Sequence, residues 1–125
     1  WAAEEALVHP SMHAAGLAAT GDDTIRTTVT DIVREKGWPE RYTTRIMRNA
    51  FTDQWHGRES ELLAQKPAEM SRFQTAVAAG DATIAGLVAG EGLGLIDTVE
   101  PAEKIISRMV HEAADILKST ARQVR

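Results

Sequence analysis

The sequence predicts a mainly α-helical protein with at most one or two short strands. Apolar residues recur at helical spacing through the last quarter of the chain, and several other stretches of helical composition end at glycine or proline. By contrast, only residues 24–33 are rich in β-branched side chains. Helices should therefore form most of the structure.

Length and composition are those of an ordinary globular protein. The 125 residues correspond to one domain, and 43% of them are hydrophobic and 26% charged. A net charge of −4 argues against a nucleic-acid partner, and the lack of cysteine excludes disulfides and thiolate metal sites. No apolar run approaches the roughly 20 residues that span a bilayer. No secretory signal is visible, so we expect no membrane partner and a cytoplasmic location.

Residues 3–19 predict a helix with one interruption. Glu4 and Glu5 suit its first turn, where carboxylates meet the positive end of the helix dipole. Pro10 cannot donate a backbone hydrogen bond, so the helix should break or restart there. Because the chain starts at Trp1 and enters helical composition at once, we expect it to be a piece of a longer protein.

Residues 24–33, TIRTTVTDIV, are the best strand candidate. Ile25, Thr27 and Val29 alternate along this segment and would share one face of a strand. No second segment of this kind is evident. The strand should therefore lack a pairing partner within the chain, and a single pair would be marginal in any case.

The middle of the chain predicts short helices separated by loops. Gly37 and Pro39 mark residues 36–42 as a loop. The expected helices are residues 43–50 with Thr43 or Thr44 as the cap, residues 59–65, residues 68–79 and residues 82–89. The breaks between them are expected at Gly57, Pro67 and Gly80.

The closing helix is the clearest element. Pro101 suits the first helical position. One broad apolar face consists of Ile105, Ile106, Met109, Val110, Ala113, Ile116, Leu117 and Ala121. Lys118, Arg122 and Arg125 place positive charge at the carboxyl end, which the helix dipole favours.

Two histidines have the spacing of a metal pair. His9 and His13 lie four residues apart, as do metal-binding imidazoles on one helix face. Pro10 intervenes, and neither a cysteine nor the glutamate of a zinc-protease motif accompanies them. We interpret them as a helix cap and an exposed helix histidine.

Residues 45–59, RIMRNAFTDQWHGRE, combine basic and aromatic side chains. Such mixtures bind single-stranded nucleic acid or phosphate in some proteins. Neighbouring carboxylates dilute the positive field, and no motif places a Ser or Cys nucleophile for His56. We interpret the segment as arginines paired with acids around two core aromatics; the residues concerned are Arg45, Arg48, Arg58, Phe51 and Trp55.

Residues 89–96, AGEGLGLI, place glycines at 90, 92 and 94. Bare backbone of this kind can approach a ligand closely. The dinucleotide fingerprint needs a strand before its glycines and a helix after them, whereas here a helix is expected to precede. On the residues alone, a glycine turn that ends a helix is the plainer interpretation.

Taken in order, five stretches resemble the C-terminal part of bacterial nitronate monooxygenases, the flavin-dependent family formerly called 2-nitropropane dioxygenases. They are AAEEALVHPSMHAA, GDDTIRTTVTDI, WPERYTTRIMRNAFTDQWHGRESEL, AGEGLGLI and PAEKIISRMVHEAADIL. The resemblance covers nearly the whole chain, and its specificity lies in the ordered set.

The resemblance implies a helical C-terminal fragment of an α/β TIM-barrel enzyme that binds FMN and oxidises alkyl nitronates with dioxygen. Residues 1–20 would form the end of the barrel and the helix that follows it, and residues 21–88 would form an inserted substrate domain. Residues 89–125 would hold a return loop and the last helix. The fragment would supply a lid over the small-molecule substrate. In the complete enzyme, Gly90, Glu91 and Gly92 would lie beside the flavin.

The chain also departs from the family pattern. The flavin-phosphate glycines and the active-site histidine of the family lie upstream of the matching region, so His9, His13, His56 and His111 do not inherit a catalytic role. We therefore expect the isolated chain to be inactive and not to bind FMN by itself. Many relatives have Gln where this chain has Glu91, and a carboxylate beside an anionic nitronate is unfavourable. Either Glu91 points away, or the substrate differs.

Two other functions stay open. The chain could be a non-catalytic helical module that forms a homo-oligomer through the apolar face of its last helix. The parent could also be another flavoprotein of the superfamily, such as an enoyl-acyl-carrier reductase or a quinone reductase. A nucleic-acid binder built on Arg45, Arg48 and Arg58 is the least favoured reading.

Overall fold

A computed structural model describes residues 1–39 and 41–123. It divides into two compact units, of which one is Val8–Asp97 and the other combines Trp1–Leu7 with the described residues from Thr98 on. Helices dominate, and the described part of the chain has two short strands. The predicted mainly α-helical fold is therefore confirmed, whereas the division at residues 20 and 88 stays a prediction.

The larger unit contains five α-helices and one small sheet. In chain order its elements are α1 (Pro10–Ala18), β1 (Thr24–Thr27), α2 (Val29–Val33), β2 (Thr44–Met47), α3 (Ala50–Trp55), α4 (Glu59–Ala64) and α5 (Lys66–Ala79). Two short 3₁₀ helices, Gly21–Asp23 and Glu91–Leu95, complete it.

The first helix begins later than predicted. Residues 3–9 are not helical, and α1 starts at Pro10, whose missing N–H costs nothing in a first turn. His9 caps the helix, because its Nδ1 accepts a hydrogen bond from the backbone N–H of Ser11 at 3.3 Å. The cap predicted for His9 is confirmed, while the first-turn role predicted for Glu4 and Glu5 is wrong.

The predicted lone strand has a partner. Strand β1 pairs antiparallel with β2, with Thr24 opposite Met47 and Thr27 opposite Thr44. The expected helix over residues 43–50 is therefore wrong, and its first half is strand. Asn49, not Thr43 or Thr44, caps the following α3, because its side chain accepts from the N–H of Thr52 at 3.0 Å.

The second half of the predicted strand is helical. Residues 29–33 form α2, and its Val29 and Val33 contribute to the main core. These two residues are four apart, so they share one helix face. That core consists of Val29, Val33, Phe51, Trp55, Leu62 and Phe73. The rings of Phe51 and Phe73 pack tilted, with centroids 5.4 Å apart.

The breaks predicted in the middle of the chain are confirmed. Gly57 has a φ of 81° between α3 and α4, and Gly80 has a φ of 66° at the end of α5. Pro67 lies in the first turn of α5. The loop over residues 36–42 also forms as predicted, apart from residue 40, which lies outside the described residues. The helix expected over residues 82–89 does not form.

The smaller unit is built around α6 (Ala102–Gln123). Pro101 precedes the helix by one residue and accepts its first backbone bonds from Lys104 and Ile105. Glu5 accepts a hydrogen bond from the N–H of Ala102 at 2.9 Å, so its carboxylate meets the positive end of this helix. The side chain of Arg122 and all of Arg125 lie outside the described residues.

A short segment pairs with the residues just before α6. Ala3 forms a parallel bridge with Glu100, and the N–H of Glu4 donates to the carbonyl of Glu100 at 3.0 Å. The buried carboxylate of Glu100 contacts Lys104 at 2.8 Å and also contacts Arg108. The hydrogen bonds from Lys104 and from Arg108, together with their positive charges, lower the pKa of Glu100.

None of the helices in the described part of the chain combines the length and the apolar character that a bilayer crossing requires.

Candidate functional site

The glycine segment, residues 89–96, is an ordered turn that is anchored at one end of the larger unit. Glu91–Leu95 form a 3₁₀ helix, in which the N–H of Leu93 donates to the carbonyl of Gly90 at 3.1 Å. Leu93 is buried, whereas Leu95 is exposed. One leucine thus fixes the segment to the core while its glycines stay near the surface.

The approach to the glycine segment is extended. Val88 forms an antiparallel bridge with Ile46, and the N–H of Met47 donates to the carbonyl of Leu87 at 2.8 Å. The segment therefore continues a strand-like stretch beside β2. A glycine turn that ends an α-helix, the plainer interpretation from the sequence, is wrong here.

Gly90 and Gly92 are not required by the fold of the described residues. A Cβ atom at Gly90 would have no neighbour within 4 Å, and one at Gly92 would meet only the Leu95 Cδ1 at 3.9 Å. Gly90 has an ordinary φ of −85°, and Gly92 does not have a positive φ. Open space therefore lies beside the backbone at both positions.

Gly21 and Gly94, by contrast, have internal reasons to be glycine. A Cβ atom at Gly21 would lie 2.3 Å from the carbonyl oxygen of Glu91, and one at Gly94 would lie 3.3 Å from the Cα of Thr20. The 3₁₀ turn at residues 21–23 thus packs its backbone directly against the glycine segment. This close packing fixes the position of Glu91.

The carboxylate of Glu91 is paired with Arg45. The two side chains meet at 2.7 Å, and the same guanidinium donates to the Thr24 hydroxyl at 3.1 Å. Arg45 lies on β2 and Thr24 on β1, so one arginine connects both strands with the glycine segment. Its positive charge compensates the negative charge of Glu91.

The basic and aromatic stretch has the structure that we predicted. Besides Arg45, Arg48 contacts Asp53 at 2.6 Å, and Arg58 contacts Glu61 across one helical turn. Phe51 and Trp55 are buried core residues. The arginines therefore act as ion-pair partners at the surface of an aromatic core.

The histidines are dispersed over the chain. His56 contacts the Thr27 hydroxyl at 3.2 Å, His13 is partly buried on α1, and His111 is exposed on α6. The exposed position predicted for His13 is thus wrong. Within the described residues, no group of three or more histidine or acidic side chains has an arrangement that could hold a metal ion.

A second cluster was not anticipated from the sequence. Trp38 and Tyr42 are exposed on the loop between α2 and β2. They line two neighbouring cavities together with the buried Asp31 and the partly buried Thr44. The signal in the sequence is the run WPERY, whose two aromatic residues lie in the predicted loop.

Comparison with solved structures places this fold beside FabK from Thermotoga maritima. FabK superposes with a TM-score of 0.72 at 24% identity, over 96% of this chain and 36% of the FabK chain. A point mutant of the same FabK gives a TM-score of 0.65 at 22% identity, over 96% of this chain and 33% of that chain. The likeness establishes the fold.

The chain therefore spans about a third of the length of the FabK structures that it matches. No protein-family model matches it, and no curated protein does either.

Proposed function

We propose that this chain is the C-terminal part of an FMN-dependent oxidoreductase that resembles nitronate monooxygenase. The observation that carries the proposal is the open space beside Gly90 and Gly92, where nothing in the described fold demands glycine. A flat ring system placed against bare backbone would explain both residues. The ordered resemblance of five stretches and the shared fold with FabK support the same conclusion.

Bound FMN would supply the redox chemistry, taking electrons from the substrate and passing them to dioxygen. The residues of this chain would shape the surroundings of the flavin. Backbone N–H groups of the 3₁₀ turn at Glu91–Leu95 would face it, and Leu93 would hold the turn in place. The remainder of the larger unit would act as the lid over the substrate.

The ion pair of Glu91 bears on the nature of the substrate. A free carboxylate would repel an anionic nitronate, but Arg45 lies 2.7 Å from Glu91 and compensates its charge. This supports a Glu91 side chain that points toward β2 and away from the substrate. An alkyl nitronate is therefore compatible with glutamate at this position.

The resemblance leaves a second substrate class open. Related flavoproteins of the superfamily include enoyl-acyl-carrier reductases. Oxygen uptake by the complete parent protein distinguishes the two classes. We expect oxygen uptake that depends on an alkyl nitronate. If the protein instead consumes a reduced nicotinamide in the presence of an enoyl thioester, the parent is a reductase and the nitronate assignment is wrong.

The position of the flavin is tested by substitution at Gly90. Gly90→Val in the parent protein should weaken FMN binding at least tenfold while leaving the circular dichroism and unfolding of the 125-residue chain unchanged. Gly37→Val is the matched control, because a Cβ atom at Gly37 also has no neighbour within 4 Å. If both variants bind FMN with equal affinity, the flavin does not lie beside this segment.

A non-catalytic alternative rests on the apolar face of α6. Its exposed members Ile106, Met109, Val110, Ile116 and Leu117 are 60 to 72% accessible. Apolar surface of this extent is commonly covered by another molecule. Sedimentation of the isolated chain tests the alternative: a dimer that Ile116→Glu dissociates would support self-association, and a monomer at high concentration would dismiss it.

A further inference from the structure

The buried carboxylate of Asp31 lacks a cationic partner within the described residues. Its side chain is only 5% exposed at the first turn of α2. Both carboxylate oxygens lie near the Thr44 hydroxyl, at 2.8 and 2.9 Å, and a hydroxyl has a single hydrogen to donate. Buried charges in proteins are normally paired or bound to an ion.

Asp31 lines a small cavity with aromatic walls. This cavity has a volume of about 200 Å³ and is lined by Thr28, Asp31, Ile32, Lys36, Trp38 and Tyr42. The volume is several times the roughly 30 Å³ that a water molecule takes in the liquid. It is sufficient for a small organic group.

A wider apolar cavity adjoins the first. It has a volume of about 500 Å³ and shares Trp38 and Tyr42 with the smaller cavity. Pro39, Thr43 and Thr44 complete its lining. Trp38 is 59% exposed and Tyr42 49% exposed, so large parts of both rings are available to a ligand.

The loop that carries the two rings is ordered by backbone hydrogen bonds. The N–H of Lys36 donates to the carbonyl of Asp31 at 2.9 Å, and the N–H of Trp38 donates to the carbonyl of Lys36 at 3.0 Å. The N–H of Tyr42 donates to the carbonyl of Pro39 at 2.8 Å. These bonds fix the backbone of the two aromatic residues, whose side chains share a cavity lining with Asp31 and Ile32 of α2.

The backbone just before this loop is strained. Glu35 adopts a left-handed φ of 54°, which is unfavourable for a residue other than glycine. Its carboxylate contacts Lys66 at 2.9 Å, which helps to hold this conformation. The N–H groups of Glu35 and Lys36 donate to the carbonyls of Ile32 and Asp31, so this conformation closes the carboxyl end of α2.

We propose that Asp31, Trp38 and Tyr42 form a binding site for a small organic ammonium ion with an apolar body. The carboxylate would pair with the positive charge, and the two rings would contact it through their electron-rich faces. The Arg41 guanidinium lies over the Tyr42 ring at 4.9 Å from its centroid, so the ligand would contact the opposite face of that ring. The apolar body would occupy the wider cavity. The proposal does not depend on the flavin.

The positive charge of Lys36 opposes the binding of an ammonium ligand. A variant at this position therefore tests whether the site prefers cations or anions. Lys36 also lines the smaller cavity, but it is exposed and can turn its ammonium group into solvent. Asp31, in contrast, is fixed by burial and by Thr44. Lys36→Gln should therefore tighten the binding of a cation and weaken the binding of an anion.

The experiment is calorimetric titration of the purified 125-residue chain with choline. The control ligand is the neutral isostere of choline, in which a tert-butyl group replaces the trimethylammonium group. We expect saturable binding of choline that is at least fivefold tighter than binding of the isostere. Equal affinity for both ligands, or no saturable binding of choline, would overturn the proposal.

Variants locate the site. Asp31→Asn should weaken choline binding about tenfold, Trp38→Leu about fivefold, and Trp38→Phe should retain most of it. Because Trp38 is largely exposed, its variants test the site even if Asp31→Asn impairs folding. Asp115→Asn, on the exposed surface of α6, is the control for a lost carboxylate. Unchanged affinity in Trp38→Leu would refute the assignment.

Discussion

The guanidinium of Arg45 lies 2.7 Å from the carboxylate of Glu91 and joins strand β2 to the glycine segment. Arg45 is three-quarters buried, whereas the carboxylate side chain is largely exposed. The pair therefore positions the glycine segment more than it stabilises the fold, because half-exposed ion pairs contribute little free energy.

A double-mutant cycle of Arg45→Ala and Glu91→Ala measures this pair. The coupling free energy should be about 0.2–1 kcal/mol in urea unfolding, as for other accessible ion pairs. It should shrink when salt is raised, because counterions screen exposed charges. A coupling that salt leaves unchanged would contradict the accessible position of Glu91.

Gly21→Ala should destabilise the larger unit by about 1–3 kcal/mol, because the new methyl group would overlap the backbone of Glu91. The ideal Cβ position lies 2.3 Å from that carbonyl oxygen. Gly37→Ala is the matched control, since its Cβ would meet nothing within 4 Å. In chemical unfolding, Gly21→Ala should have a lower midpoint than Gly37→Ala. Similar midpoints would disprove the close packing of the two 3₁₀ turns.

Leu93→Ala should lower the free energy of unfolding by about 2–5 kcal/mol, as expected for truncation of a buried leucine. Leu93 is buried and Leu95 is exposed within the same 3₁₀ helix. Leu95→Ala should therefore change stability by no more than about 0.5 kcal/mol. A larger loss at Leu95 than at Leu93 would mean that the segment is anchored by its opposite face.

The stability contributed by Glu100 should depend on pH. Lys104 and then Arg108 lower the pKa of this carboxyl in the folded chain. A lowered folded-state pKa means that the contribution is complete above the usual glutamate value of about 4.3 and is lost as pH falls through the folded-state pKa. Carbon-detected NMR titration of Glu100 measures this pKa, and Lys104→Gln should raise it.

The matched variant for this pH dependence is Glu100→Gln. At neutral pH this variant should be less stable than the unsubstituted 125-residue chain. The difference in stability should disappear at a pH low enough to protonate Glu100 in the unsubstituted chain. A stability difference that stays constant from neutral to strongly acidic pH would show that the carboxylate charge does not matter here.

Helices whose ends are marked by proline or glycine could be predicted from the sequence. Pro67 lies in the first turn of α5 and Gly80 ends it, and Pro101 indicated the start of α6 to within one residue. These signals are local, because proline lacks an N–H and glycine tolerates the left-handed conformation of a helix end. Local signals of this kind do not depend on the rest of the fold.

The sheet was harder to predict because its pairing is tertiary. Residues 44–47, TRIM, contain only two β-branched residues, Thr44 and Ile46, which is too short a pattern to indicate a strand. They nevertheless pair with Thr24–Thr27. Helical composition over residues 3–9 and 82–89 was likewise overridden by bridges to Glu100 and Ile46. Pairing contacts of this kind override the intrinsic secondary-structure propensity of a segment that lies beside a partner strand.

The two candidate sites differ in how far the sequence could reveal them. Glycines at 90 and 92 are visible as a pattern, but the open space beside them is known only from the structure. The cluster of Asp31, Trp38 and Tyr42 brings a helix and a loop together, and no fixed spacing in the sequence indicates it.

The proposed function is tested most directly by the flavin content of the complete parent protein that contains residues 1–125. The protein should be yellow when purified, and acid should release one FMN per chain, with less released from the Gly90→Val variant than from Gly37→Val. A colourless parent protein that takes up no FMN when reconstituted would contradict the proposed function, whatever substrates are tried.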